Sequence, residues 1–251
     1  VSGTAFMAGL AKTWQGSVAD FLVGAFFEAT VGNYKASSDF GSASVDGKGD
    51  NRALGGGILA RMDMTDTAFK GLYAEASFRL GDLTNNYRSN DVHDFTGKNA
   101  SYDNQNTYYG AHVGIGYLFD FTDKANLDLY GKYFWTHQTG QDVTILGDEF
   151  QFKDMDSYKL KMGGRFSYAV AESLAPYIGA AWEHEFDGKA KATTYGFDVP
   201  APSLKDDTGV GEIGLSWKPA NAQGFSVDLG AQGYIGQREG ISGTLQCKYE
   251  F

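Results

Sequence analysis

Residues 243–251 alternate apolar and polar side chains and stop on a phenylalanine. Leu245, Cys247, Tyr249 and Phe251 fall on one side, and Thr244, Gln246, Lys248 and Glu250 on the other. Successive side chains of a strand point to opposite faces, so the segment offers one face to an apolar medium and the other to water. Chain ends are ordinarily frayed and exposed. An aromatic-tipped terminal strand with no polar tail instead suits a sheet that has to close on itself in lipid, where an unpaired backbone edge is costly.

The same parity recurs along the chain. In 158–170, Tyr158, Leu160, Met162, Phe166, Tyr168 and Val170 are apolar, with Lys159, Lys161, Arg165 and Ser167 between them. A helix would scatter those charges around its circumference. Ala111, Val113, Ile115, Tyr117 and Phe119 oppose His112, Gly114 and Gly116; Leu72, Ala74, Ala76, Phe78 and Leu80 oppose Glu75, Ser77 and Arg79. Leu127, Leu129, Tyr133 and Trp135 oppose Asp128, Lys132 and Thr136, while Ile213, Leu215 and Trp217 oppose Glu212 and Ser216. Val227, Leu229 and Ala231 stand against Ser226, Asp228 and Gln232.

Spreading apolar residues over every second position explains how a chain of 251 residues with 15 Tyr and 18 Phe keeps a mean hydropathy of -0.33. No window reaches the roughly 18 apolar residues of a transmembrane helix. The net charge of -10 argues against nucleic acid as a partner, because phosphate-binding surfaces are basic. Cys247 is the single cysteine, so no intrachain disulfide forms, and its position in the alternation makes it a lipid-facing small hydrophobe. No signal peptide begins at Val1, so the expectation is either a mature fragment or an export signal that lies upstream of it.

Strand candidates lie near 4–14, 20–34, 52–64, 70–83, 105–120, 126–138, 157–170, 176–187, 208–218, 224–237 and 241–251. Short turns join them at 65–68, 122–125, 171–175 and 219–223; longer segments at 37–50, 84–105, 139–156 and 187–207 are rich in Gly, Ser, Asn and Asp and are expected to be loops. Short turns on one side and long loops on the other match an outer-membrane barrel. Aromatics gather near both strand ends: Trp14, Phe121, Tyr177, Trp217 and Tyr249 by the short turns, and Tyr109, Trp135, Tyr158 and Phe186 by the long loops. These are expected to be interfacial girdles. The expected fold is all-β: one transmembrane antiparallel outer-membrane β-barrel domain over 1–251, with about eleven strands present. Bacterial single-chain barrels have even strand numbers, so a further strand is expected upstream of Val1.

Several segments carry a family resemblance. Residues 21–28 followed by Gly32-Asn33-Tyr34, the run 55–61, 71–75, 108–112, 127–135, 176–186 and the ending 240–251 resemble, in order and spacing and over nearly the whole chain, the translocator β-domain of bacterial autotransporters. The resemblance implies a twelve-stranded barrel in the bacterial outer membrane, with a luminal helix and passenger upstream of Val1. It implies type V secretion, in which a monomeric barrel surrounded by outer-membrane lipid anchors its own passenger and supports export to the cell surface. Periplasmic chaperones and the barrel assembly machinery are the implied partners, and Leu245, Tyr249 and Phe251 match the family's C-terminal assembly signal. The plainer reading is that these three residues simply face lipid. A porin-like channel or outer-membrane enzyme and a soluble β-barrel binder are the other functions compatible with the alternation.

Glu75, Arg79, Asp128, Lys132, Lys159, Lys161, Arg165, Glu183, Glu185, Glu212 and Asp228 all fall on the polar side of their strands and are expected to line a water-filled lumen. A solvated, mutually compensating wall accounts for them; a narrower reading is that some hold the luminal helix or the passenger in transit. Other chemistry finds little support. His93, His112, His137 and His184 are scattered without metal-ligand spacing, and no G-x-S-x-G elbow marks a nucleophile. Glu183 and Glu185 share a face but lack a cleft, and the acidic stretches 46–50 and 142–156 lack the calcium-loop pattern. No catalytic residue, metal or cofactor is expected.

Overall fold

The computed structural model describes residues 1–40, 43–66, 68–222 and 224–250. These form strands and turns, with no helix among them. In chain order the first strands are β1 (Ser2–Trp14), β2 (Ala19–Phe40), β3 (Ala43–Met64), β4 (Leu72–His93), β5 (Asn99–Thr122) and β6 (Ala125–Gln138). Two short strands follow, β7 (Gln141–Ile145) and β8 (Asp148–Phe152), then β9 (Met155–Tyr168) and β10 (Leu174–Glu185). The pair β11 (Ala192–Thr194) and β12 (Phe197–Val199) precedes β13 (Asp206–Trp217), β14 (Phe225–Gly236) and β15 (Gly240–Tyr249).

Eleven strands make one antiparallel sheet in the order β1-β2-β3-β4-β5-β6-β9-β10-β13-β14-β15, each paired with its neighbour in the chain's main sequence of strands. The other four form a small sheet, β12-β11-β8-β7. The core is unlike that of a soluble domain. Outward residues such as Ile58, Val113, Ile213, Leu229 and Leu245 are exposed, whereas Tyr73, Tyr108, Tyr177 and Glu183 on the inner face are buried. Apolar side chains outside and polar ones within is the inverse of water-soluble packing and the arrangement lipid requires.

Where the sequence led us to expect four long loops, strand continues. β2 through β5 run 22, 22, 22 and 24 residues, about twice the 9–11 that cross a bilayer. Segments 37–50 and 84–105 are therefore largely strand and turn, and 139–156 and 187–207 hold the small sheet. The reason lies in the outward face. On β4 it passes from Phe78 and Leu80 to Asp82, Thr84, Asn86 and Arg88, and on β5 from Tyr109 to Thr107, Gln105 and Asp103. The hydrogen-bonded ladder persists above the bilayer while the apolar alternation that identifies it stops. At roughly 3.4 Å per residue the dozen or so residues beyond the membrane-spanning length run about 40 Å along the strand. Its inner side is packed: Tyr87 stacks on Tyr102 at 5.5 Å between centroids, and Tyr102 meets Phe152 of β8 at 5.4 Å. Asn106 and Gln141 tie β5 to the segment carrying the small sheet.

Both hairpins of that sheet turn through residue pairs with positive φ, Leu146 (55°) with Gly147 (99°) and Tyr195 (50°) with Gly196 (79°). Such turns match the right-handed strand twist, and glycine takes the second position without cost while Leu and Tyr occupy the first against their preference. On the opposite side of the barrel the connections are tight, as expected; Thr122 Oγ1 accepts from the amides of Lys124 and Ala125 across the β5–β6 turn. Thr67 and Gln223, in two of the expected short turns, lie outside the described residues. At the β4–β5 connection Asp94 accepts from the hydroxyl and amide of Thr96 and the amide of Lys98, which holds its carboxyl below the usual carboxylate range.

Candidate functional site: the charged luminal wall

Directly opposed residues of neighbouring strands share a face, so the registers assemble rows across the inner wall. One row runs Arg61, Glu75, Gly114, Lys132, Lys161, Glu183 from β3 to β10. A second runs Asp128, Arg165, Gly179, Glu212, Gln232 from β6 to β14. The alternation dictates that charges share the inner side, and the pairing register decides which of them meet.

In the first row Glu75 is a hub: Lys132 Nζ lies at 2.5 Å, His112 Nε2 at 3.2 Å and Arg61 Nη1 at 3.4 Å. Arg61 also grips Asp63 at 2.7 Å and lies over the Tyr73 ring, whose hydroxyl donates to Asp128. Glu183 is the second hub, with Arg238 at 2.6 Å, Lys161 at 3.1 Å and Lys159 at 3.9 Å. Beside it Glu185 accepts from Ser157 Oγ and the Tyr158 amide. In the second row Arg165 reaches over Gly179 to grip Glu212 with two N–H groups, at 2.7 and 3.2 Å, and Gln232 donates to the same carboxylate. Asp228 accepts from Tyr177 and Ser216, and Arg79 reaches Glu28, which also accepts from Tyr108. Carboxylates that are nearly buried are thus each paired or hydrogen-bonded, as burial of charge demands.

All eleven residues expected on the lumen point inward, and they fall into linked clusters. Glu28, Arg61, Asp63 and Arg238 belong to the same clusters and were not singled out from the sequence. Three of the four carried a signal: Glu28 shares parity with Gly24 and Phe26, and Arg61 and Asp63 with Gly55 and Gly57. Arg238 lies in the turn after β14, where parity gives no guidance. One assignment is corrected. Tyr177, expected in the short-turn girdle, faces the lumen with its hydroxyl on Asp228; its neighbour Ile178 faces out. A bulky ring fits there because Gly214 stands opposite it on β13, leaving space that a Cβ would fill.

The outward face ends in a polar-tipped aromatic belt beside the small sheet. Trp135 Nε1 and His137 Nδ1 both bond to Asp156, and Trp182 Nε1 and His184 Nδ1 both bond to Asp207. On β15 Leu245 opposes Leu229, Cys247 opposes Val227 and Tyr249 opposes Phe225, all outward; Phe251 lies outside the described residues. Among the described residues no group of three or more His, Cys, Asp or Glu side chains could hold a metal ion.

Within the Glu75 cluster a further polar contact joins two side chains other than carboxylates: Ser77 Oγ lies 2.5 Å from His112 Nδ1.

The family model for the autotransporter beta-domain matches residues 2–232. Among solved structures, the β-domain of the Bordetella autotransporter BrkA is similar at a TM-score of 0.73 and 16% identity, covering 99% of this chain and 91% of that one. The transport unit of AIDA-I from Escherichia coli gives 0.72 at 17% identity, covering 99% and 83%. The translocator domain of NalP from Neisseria meningitidis gives 0.63 at 17%, covering 99% and 81%. No match to a functionally curated protein sequence was found.

Proposed function

Taking as premise that the chain belongs to the autotransporter β-domain family, an outer-membrane translocator for passenger export, we propose that the paired charges of its inner wall form the sleeve along which its own passenger moves. The observation that carries this reading is the pair of inward rows, in which charges of both signs are matched with one another instead of forming a field of one sign. A matched wall solvates an extended chain of any sequence without trapping it, whereas a single-sign wall would bind segments of opposite charge. Moving a chain through such a sleeve makes and breaks no covalent bond, so export itself asks no catalysis of the barrel.

Among the described residues the sheet has two free edges, since β1 pairs only with β2 and β15 only with β14. In lipid each unsatisfied backbone group costs several kcal/mol. We infer that a further strand closes the barrel between β1 and β15 as a monomer. Leu245, Tyr249 and Phe251 serve in this reading as the signal that chaperones and the barrel assembly machinery recognise.

The test is surface display. The parent protein, carrying an epitope in its passenger, is expected to expose that epitope to protease on intact cells once the heat-modifiable barrel is assembled. An epitope held in the periplasm beneath a normally assembled barrel would overturn the export reading. Reversing charge at Lys132 or Glu212 is expected to slow display more than it lowers barrel abundance.

A further inference from the structure

Glu75 and Ser77 lie two residues apart on β4 and so share the inner face, and His112 of β5 stands directly opposite Ser77 in the register. His112 Nδ1 is 2.5 Å from Ser77 Oγ, and His112 Nε2 is 3.2 Å from Glu75 Oε1. The protons follow by elimination. Glu75, flanked by Lys132 and Arg61, is a carboxylate and only accepts. A neutral His112 therefore carries its proton on Nε2 toward Glu75, leaving the Nδ1 lone pair for the Ser77 hydroxyl. Phe134 lies against the imidazole, 5.4 Å between centroids and 21° from parallel, and fixes the ring plane.

We propose that Ser77, His112 and Glu75 form a hydrolytic triad on the luminal wall, acting on acyl esters that enter the lumen. Ser77 is the nucleophile, His112 the general base and Glu75 the positioning residue, with Nδ1 in the role that Nε2 more often takes. The backbone amides here are engaged in the sheet ladder, so charge on the tetrahedral oxygen has to be met by side chains. Arg79, the next inward residue on β4, and Lys159, whose Nζ lies 5.4 Å from the Phe134 ring centroid, bring two cations to this stretch of wall.

The chemistry balances without a cofactor. Ser77 Oγ attacks the ester carbonyl as its proton passes to His112 Nδ1. The ester C–O bond then breaks, His112 returns the proton to the departing alkoxide, and an acyl-serine remains. Water attacks the acyl carbon, gives a proton to His112, and releases the carboxylic acid as Ser77 recovers its hydrogen. The lumen supplies the water. This activity is independent of export, which uses none of these steps.

The experiment uses the outer-membrane-assembled parent protein, extracted in detergent and checked for heat-modifiability. A fluorophosphonate probe is expected to label Ser77, mapped by peptide analysis, and p-nitrophenyl butyrate to be hydrolysed above the rate of the Ser77→Ala protein. His112→Asn should lower that rate by about 10²–10⁴-fold. Glu75→Gln should lower kcat with KM little changed, and Glu75→Asp should restore part of the lost rate, a pattern that mere loss of packing would not produce. Ser77→Cys keeps the inference falsifiable if the serine variants assemble poorly: its thiol should alkylate with iodoacetamide at neutral pH faster than Cys247, and the excess should vanish when His112→Asn is added. An unlabelled wild-type protein, labelling that persists in Ser77→Ala, or an ordinary alkylation rate at position 77 would each overturn the triad.

Discussion

Removing the Glu212 carboxylate should reveal how much one luminal pair holds the sheet together. Arg165 on β9 and Glu212 on β13 are separated by β10 and meet above Gly179, so their bond staples strands that do not pair with each other. The contact has two charge-assisted hydrogen bonds, each worth about 1.5–3 kcal/mol in a well-buried setting. Glu212 is 7% exposed and Arg165 38%. Breaking a fully buried pair costs about 3–5 kcal/mol, and an exposed one about 0–1. This pair lies between, so Glu212→Ala should cost about 2 kcal/mol, with a coupling of about 1–2 kcal/mol in a cycle with Arg165→Ala. The same geometry predicts a surrogate. A Cβ at Gly179 would sit 2.6 Å from Glu212 Oε1, 2.8 Å from its Cγ and 2.8 Å from the backbone oxygen of Gly164, so Gly179→Ala should displace the carboxylate and, because the backbone has to shift as well, cost more than Glu212→Ala. The assay is urea unfolding of the closed barrel in detergent, followed by tryptophan fluorescence, with midpoints compared at constant slope. Additive single-mutant costs, or a neutral Gly179→Ala, would refute the stapling argument.

Other outcomes follow from parity and position. Leu245→Arg should cost about 2–4 kcal/mol if the site sits near the bilayer midplane, while Gln246→Arg on the luminal side should be close to neutral; unfolding midpoints in lipid vesicles distinguish them. Deleting Phe251 should lower the amount of assembled, heat-modifiable protein and raise periplasmic degradation, read by fractionation, and normal surface levels would show the residue to be dispensable. Cys247→Ser should leave assembly within about twofold of wild type, and in vesicles Cys247 should react with a membrane-permeant maleimide much faster than with a charged one. Gly214→Ala should push the Tyr177 ring off its seat and weaken its hydrogen bond to Asp228, lowering the unfolding midpoint without altering strand number by circular dichroism.

What could be read directly from the sequence was whatever lipid enforces. A bilayer demands an apolar residue at every second position and tolerates charge only on the other side, so strand order and the inward set from Glu75 to Asp228 follow from parity alone. Above Leu80 that demand lapses: Asp82, Thr84 and Asn86 occupy outward positions on a continuing strand, and the text looks like a loop. Tyr177 misled for a related reason, because an aromatic near a strand end suits a girdle as well as a lumen, and only the glycine opposite it decides. The clusters themselves were not legible. Ser77 and His112 are 35 positions apart, and Arg165 and Glu212 are 47; each pair meets through a register that hairpin geometry sets and side-chain type does not announce.

The central claim is that one face of this sheet meets lipid while the other lines an aqueous lumen, and β6 offers the most direct test. Single cysteines at Leu127, Asp128, Leu129 and Tyr130, in a Cys247→Ser background of the assembled parent protein, can carry nitroxide labels in lipid vesicles. Positions 127 and 129 should collide preferentially with dissolved oxygen, and positions 128 and 130 with a polar nickel chelate. Equal collision rates at all four, or the opposite phase with Asp128 on the oxygen-accessible side, would contradict the assignment of faces on which the translocator account rests.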